Sequence, residues 1–226
     1  MAIPRYLYHG TSARHRAAIL RNGLVPRGRR KSNWTHSVVS ASDRIYLTDS
    51  YPIYFAFSAT TPGVKEDGMV IEVDTDMMND HRFVPDEDAL EQATRGRDQI
   101  PGSMKERTVR YRELAPMYSQ FADESLYALG TCAYMGAIEP QHISRLAIIT
   151  HDKLVELSLR FDPTITIVNY HFCGERYREA TQWLFDRRKG AFPEITREGI
   201  EIVELMTTME TTPEGIEIMQ QTQETT

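Results

Sequence analysis

The sequence predicts an α+β domain of short, mixed strands, and three observations carry that reading. A strand-like stretch, "RYLYHG", runs directly into an amphipathic helix, "SARHRAAILRNGL". The strand-like segments that follow are short and separated by loops, without the regular alternation with long helices that a doubly wound parallel sheet requires. Neither the GxGxxG fingerprint nor a GxxxxGK phosphate loop ending in Ser or Thr occurs, which removes two glycine-rich routes to a nucleotide.

Each element has its own justification. Ser12 can cap the first helix through its side-chain oxygen, and Asn22-Gly23 supplies the left-handed stop. "VPRGRRKSNWTHSVVSASD" has the Pro, Gly, Ser and Asn content of an irregular loop. "RIYLTDS" reads as a strand, "YPIYFAFSATT" as a short helix and "GMVIEVDTD" as a strand. Residues 76–118 are mixed, with "DEDALEQATR" helical and "QIPGSMKERTVRYREL" a connection. "ESLYALGTCAYMGAI" contains a strand and "ISRLAIIT" is another. "TITIVNYHF" reads as a strand leading into the helix "GERYREATQWLFDRRKG", whose Tyr177, Trp183, Leu184 and Phe185 would pack on the core. After Pro193, "EITREGIEIVELM" adds a last strand or helix, and the Thr/Glu/Gln-rich tail beyond it is expected to be loose. The expected division is one domain over residues 1–190 and an acidic, partly disordered C-terminal extension over 191–226.

Composition limits the function classes. With 226 residues, 41% of them apolar, the chain can bury a substantial core. Its two cysteines, Cys132 and Cys173, suit neither a disulfide framework nor a complete zinc site, and the seven histidines show no short-range ligand spacing, so no metal is expected. No run approaches the roughly 20 apolar residues of a membrane span, and a soluble, cytoplasmic protein is the expectation. The net charge of -6 conceals an asymmetry: residues 1–44 carry nine Arg or Lys against one acid, Asp43, while residues 198–226 carry seven Glu and no base. A basic segment of this kind suits the phosphates of a nucleic acid or a dinucleotide, or forms a solvated helix face.

Taken together, "LYHGTS", the helix ending in "GLVP", "RIYLTDSYPIYFAFSA" and "MVIEVD" resemble the first half of the ADP-ribosyltransferase fold. That superfamily includes poly(ADP-ribose) polymerases, rifamycin-inactivating and DNA-modifying transferases and tRNA 2'-phosphotransferases. The resemblance spans residues 5–75 and, more loosely, 124–150. It implies two packed, mostly antiparallel sheets of short strands with flanking helices. It also implies NAD as substrate and an enzyme that transfers ADP-ribose.

What the resemblance implies for individual residues follows from the chemistry. Breaking the nicotinamide–ribose bond passes through a transition state of oxocarbenium character, as glycoside cleavage does. The resemblance gives His9 to a ribose hydroxyl of the adenosine half, with Thr11 in support, and Gly10 to close backbone approach of the carboxamide. Tyr54 would stack on nicotinamide, Tyr46 would form another wall, and Ala56 and Ser58 would keep the floor shallow. Taken alone, His9 is an ordinary strand-end residue and the tyrosines are core aromatics; their company makes them candidates. Arg27 would meet the pyrophosphate. Arg27, Arg29, Arg30 and Lys31, with Trp34 and His36, also form the basic and aromatic mixture that single-stranded nucleic acid favours.

The sequence departs from the family at one place. Where many of these transferases carry a glutamate, this chain has Gly130 or Thr131. Thr131 can accept a hydrogen bond from ribose but brings no charge; Glu124, upstream, is the candidate acid that would reach the site from a loop, and Glu139 is placed at the far end of the strand. The expected activity is therefore mono-ADP-ribosyl transfer to a protein or nucleic acid, of the toxin or effector kind. The alternatives are an RNA 2'-phosphotransferase-like activity and a catalytically inactive module that binds NAD, ADP-ribose or nucleic acid.

Overall fold

The computed structural model describes residues 2–29, 40–96, 99–160, 170–186, 195–212 and 215–224. Among them eight strands form one sheet: β1 (Tyr6–Ser12), β2 (Arg44–Thr48), β3 (Gly68–Asp74), β4 (Phe83–Pro85), β5 (Thr131–Met135), β6 (Ile143–Ile149), β7 (Ile200–Thr212) and β8 (Gly215–Glu224). Seven α-helices accompany them: α1 (Arg16–Asn22), α2 (Pro52–Ser58), α3 (Glu87–Ala93), α4 (Met104–Leu114), α5 (Ala122–Leu129), α6 (His151–Arg160) and α7 (Tyr170–Leu184). The strand order is β4-β5-β2-β1-β3-β6-β7-β8, and every pairing is antiparallel. The α+β class is as expected; no described helix is long and apolar enough to cross a membrane.

The expectation of two packed sheets is corrected to one sheet with a narrow join. β1 pairs with β3 over seven register positions, from Tyr6 with Asp74 to Ser12 with Gly68, but with β2 at a single one, Tyr8 with Thr48. The halves β4-β5-β2 and β1-β3-β6-β7-β8 are therefore connected by that one pair. Beyond it β1 continues along β3 and parts from β2, so the main chain of Gly10 and Thr11 is engaged by the ladder on one side only.

Alternation along the strands builds a core on each face. On one face Leu7, Ile45, Leu47, Ile71, Cys132 and Leu146 pack with Ile19 of α1 and Leu126 of α5. On the other, Tyr8, Val70, Ala147 and Ile149 meet Ile53 and Ala56 of α2, Leu154 and Leu157 of α6, and Ala180 and Leu184 of α7, with Phe185 beyond. Tyr8 and Phe185 stack at 5.3 Å, and Tyr177 and Trp183 join the same cluster half-buried, as expected. Inside the sheet, the fully buried Glu72 accepts from Arg145 Nε (3.1 Å) and Ser144 Oγ (2.5 Å), so that an ion pair reinforces the β3–β6 ladder.

Local signals explain most of the elements. Ser12 Oγ accepts from the Arg14 amide, starting a short 3-10 turn before α1. Gly23 ends α1 at φ +69°, ψ -163°, not in the left-handed helical conformation expected of it, and a Cβ there would stand 2.0 Å from the Ile138 carbonyl oxygen. Two readings are corrected. Residues 104–114, expected as a connection, form α4, opened by a capping box between Ser103 and Glu106. Residues 170–172, expected in a strand, are the first turn of α7; residues 161–169 lie outside the described residues. β7 hydrogen-bonds along β6 and β8 along β7, so residues 200–212 and 215–224 run in the same sheet as β1.

Candidate active site

The parting of β1 from β2 is where the sequence candidates collect. His9 stands half-buried on β1, and its Nδ1 is 2.9 Å from the main-chain oxygen of Tyr46 on β2. A carbonyl oxygen only accepts, so Nδ1 carries the proton and Nε2 is left as an acceptor, with no partner among the described residues. Burial pulls the His9 pKa below its ordinary value, and the hydrogen bond to Tyr46 offsets this only in part, so the imidazole is neutral at pH 7. The strands thus part around a tautomerically fixed hydrogen-bond acceptor.

Gly10 lies next to it on the opposite face. A Cβ at this position would meet Ala56 N and Pro52 O at 2.3 Å each, so the close approach that Gly10 permits is that of α2. Thr11 is buried and pairs with Met69. Ala56 is fully buried and Ser58 half-buried.

Tyr46 is held at both ends. Its carbonyl binds His9, while its hydroxyl donates to Glu87 Oε1 (2.6 Å) and accepts from the Ala41 amide (2.9 Å). Burial and the neighbouring Glu87 and Asp86 charges push the phenol well above its usual pKa. Arg112 Nε donates to the same Glu87 oxygen (3.2 Å), and Glu87 is only 4% exposed. Tyr46→Phe should therefore cost about 1–3 kcal/mol in urea denaturation, because it strips a donor from a buried carboxylate and an acceptor from a buried amide. A loss below the resolution of the experiment would contradict this bonding.

The basic loop is rooted beside the same tyrosine. The Gly28 amide donates to the Ser42 carbonyl (2.8 Å), and Arg27 Nη2 donates to the Ser40 carbonyl (2.7 Å). Arg29 is exposed; Arg30, Lys31, Trp34 and His36 lie outside the described residues. Tyr54 occupies a different surrounding on α2. It lines a shallow depression with Ser50, Tyr51, Tyr177, Ala180 and Thr181, whose described lining includes none of His9, Gly10, Thr11 or Tyr46. Glu124 is exposed in the first turn of α5 and Glu139 is exposed past the end of β5. Cys132 is fully buried, with its thiol pKa pushed well up by burial, as befits an inert core cysteine. Among the described residues no group of three or more His, Cys, Asp or Glu side chains is arranged to hold a metal.

The sequence reading missed a carboxylate here. β4 pairs with β5 up to Pro85 opposite Cys132, which brings the next residue, Asp86, opposite Thr131. The Asp86 amide donates to Ser125 Oγ (3.0 Å), which itself donates to the Thr131 carbonyl (2.7 Å). Asp86 also caps α3, accepting from the Asp88 amide at Oδ1 (2.9 Å). Burial first, then the charges of Asp88 and Glu87, raise its pKa from 3.8 to about 8.

That shift has a sign for stability. The fold favours protonated Asp86, so the stability it contributes is present in acid and is lost as pH rises through about 8. Asp86→Asn keeps a capping oxygen and removes the titration. Relative to the native chain, this variant should gain in Tm between about pH 5 and about pH 9, the gain building up below about pH 8, where folded Asp86 still holds the proton that the unfolded chain has lost. Parallel Tm profiles for the two proteins would contradict it.

No family model matches the chain, and no curated protein matches it. Among solved structures the chain is similar to EcPltA, at 17% identity and a TM-score of 0.38, over 65% of this chain and 76% of that one. It is also similar to a nicked form of CARDS toxin, at 14% identity and a TM-score of 0.34, over 65% of this chain and 25% of the toxin's length.

Proposed function

We propose that the chain is an NAD-dependent mono-ADP-ribosyltransferase that modifies a macromolecular acceptor. The observation that carries this reading is His9, fixed by its Nδ1–H bond to the Tyr46 carbonyl at the point where β1 leaves β2. A neutral imidazole with an open Nε2 suits a ribose hydroxyl, which needs an acceptor and no added positive charge. The one-sided main chain of Gly10 and Thr11 offers amide and carbonyl groups of the kind a carboxamide requires. Arg27 and Arg29 supply positive charge for a pyrophosphate, and Tyr46 supplies a flat surface for the leaving ring.

In the reaction the C–N bond between ribose and nicotinamide breaks, nicotinamide leaves with the bonding electrons, and the acceptor nucleophile forms the new bond to ribose and gives up a proton. Positive charge develops on the ribose, and the buried acids at the β4–α3 corner lie on the side of Tyr46 away from β1.

The test is incubation of the purified protein with labelled NAD in separate reactions containing cell lysate, RNA and single-stranded DNA, following nicotinamide release and label transfer. Label on one macromolecule supports the reading and names the acceptor class. Saturable NAD binding with neither release nor transfer overturns it in favour of a binding module. Removal of a 2'-phosphate from a model RNA overturns it in favour of a phosphotransferase.

A further inference from the structure

We propose that β8 is the contact surface of a homodimer, in which its bare outer edge pairs antiparallel with β8 of a second copy about a twofold axis between Met219 and Gln220. This edge lies four strands from β1 in the sheet order, and the inference does not depend on the transferase reading.

The two ends of the sheet are built differently. At one end β4 is three residues long, closes on Pro85 and has Ala115 packed with Val84, so little of its outer edge is open to another strand. At the other end β8 runs for ten residues, Gly215–Glu224, in unbroken register with β7, and its outer side pairs with no strand among the described residues. Its sequence, "GIEIMQQTQE", contains no Pro, Lys or Arg, the residues with which edge strands discourage pairing.

The hairpin also reaches past the body. β6 pairs with β7 only from Ile200 to Glu204, so the eight pairs from Leu205 with Thr222 to Thr212 with Gly215 have no third strand and extend about 25 Å. A two-stranded ribbon is marginal in water by itself. Its register gives little help: of the eight pairs only Met209 with Ile218 joins two apolar residues, and Glu210 is registered opposite Glu217, a like-charge pair that destabilises. The Thr-, Glu- and Gln-rich sequence reads as loose for the same reason. A further strand along β8 adds main-chain hydrogen bonds, which do not depend on those side chains.

Charge selects the occupant and its direction. With the axis between Met219 and Gln220, Met219 faces the partner's Gln220, Ile218 the partner's Gln221 and Glu217 the partner's Thr222, while Gly215 faces the partner's Glu224. No acid then faces an acid. Parallel, in-register pairing of the same edges would instead set Glu217 against the partner's Glu217 and Glu224 against the partner's Glu224. A second copy brings an edge of equal length, and twofold pairing uses both edges, so the assembly stops at two. The product is a four-stranded ribbon, β7-β8 from one copy and β8-β7 from the other.

The experiment is sedimentation velocity of the full chain from about 1 to about 100 μM, beside hydrogen exchange of the β8 amides. The contact is small for a specific interface, so a dimer that dissociates on dilution across this range is expected. In a monomer only the alternate amides that face β7 are protected; in the dimer the outward set is protected too, increasingly as concentration rises. Gln220→Lys/Gln221→Lys, which gathers lysines of both copies at the axis, should weaken dimerisation by about tenfold or more. Protection of its β7-facing amides shows that the hairpin of this variant is still formed. Lys105→Glu/Arg110→Glu, at exposed positions of α4, should leave the dimer unchanged. A native chain that stays monomeric at about 100 μM overturns the inference. So does a dimer equally stable in the lysine variant, or exchange of the outward amides that does not change with concentration.

Discussion

His9→Ala is expected to lower nicotinamide release from NAD by about tenfold or more, with the fold retained. Alanine removes the one imidazole whose tautomer is set by the Tyr46 carbonyl, and with it the Nε2 acceptor at the parting of β1 and β2. The side chain is half-buried and outside the continuous apolar clusters, so the loss should register in turnover more than in Tm. Its pKa lies below the ordinary 6.5, so His9 stays neutral from about pH 7 upward, and its acceptor does not change there. Any change in rate above about pH 7 therefore belongs to another group. His9→Gln, whose amide can donate and accept at once, should retain more activity than His9→Ala. Unchanged turnover in His9→Ala would remove His9 from the site and the main support of the transferase reading with it.

The parts of the fold that the sequence made legible are those where a local signal and the tertiary outcome agree. β1, α1, β2, α2 and β3 each have an apolar period and end at residues whose chemistry stops them, such as Gly23 after α1. α4 lacks the period: it buries little beyond Thr108 and Tyr111, and its charged sequence reads as a connection. The usable signal was the Ser103–Glu106 spacing of a capping box. "YHF" at the start of α7 alternates like a strand, and three residues are too few to tell a period of 2 from one of 3.6.

The candidate site divides the same way. His9, Gly10 and Tyr46 are legible because a contiguous motif and one strand pairing bring them together. Asp86 is not, because 45 residues separate it from Thr131 (131 less 86) and only the β4–β5 ladder joins them. Locally "VPDEDAL" signals nothing more than a helix cap, which Asp86 also is. A single sheet in place of two has a related cause: one register pair, Tyr8 with Thr48, decides whether the halves are joined, and no sequence pattern encodes one pair.

Gly10→Ala is expected to be strongly damaging, because the methyl would meet main chain on three sides. The added Cβ would stand 2.3 Å from Ala56 N, 2.3 Å from Pro52 O and 2.8 Å from Phe55 C, all of them main-chain atoms of α2. Backbone in a helix cannot rotate aside as a side chain does, so either α2 lifts from β1 or β1 shifts within its ladder. The expected cost is about 3 kcal/mol or more by urea denaturation. Gly68→Ala is the matched comparison, because its Cβ would also be too close, 2.6 Å from Leu154 Cδ2, but to the far end of a flexible side chain. Its cost should be about 1 kcal/mol. The difference between the two variants tests whether α2 is seated directly on the strand that carries His9. If Gly10→Ala proved no more costly than Gly68→Ala, α2 would have room to move away from β1, and Tyr54, which rides on that helix, would have no fixed relation to His9. If the large difference is found, Gly10 has a structural necessity that exists before any ligand binds. Activity lost in Gly10→Ala would then report on the seating of α2, whereas activity lost in folded His9→Ala reports on the acceptor nitrogen itself.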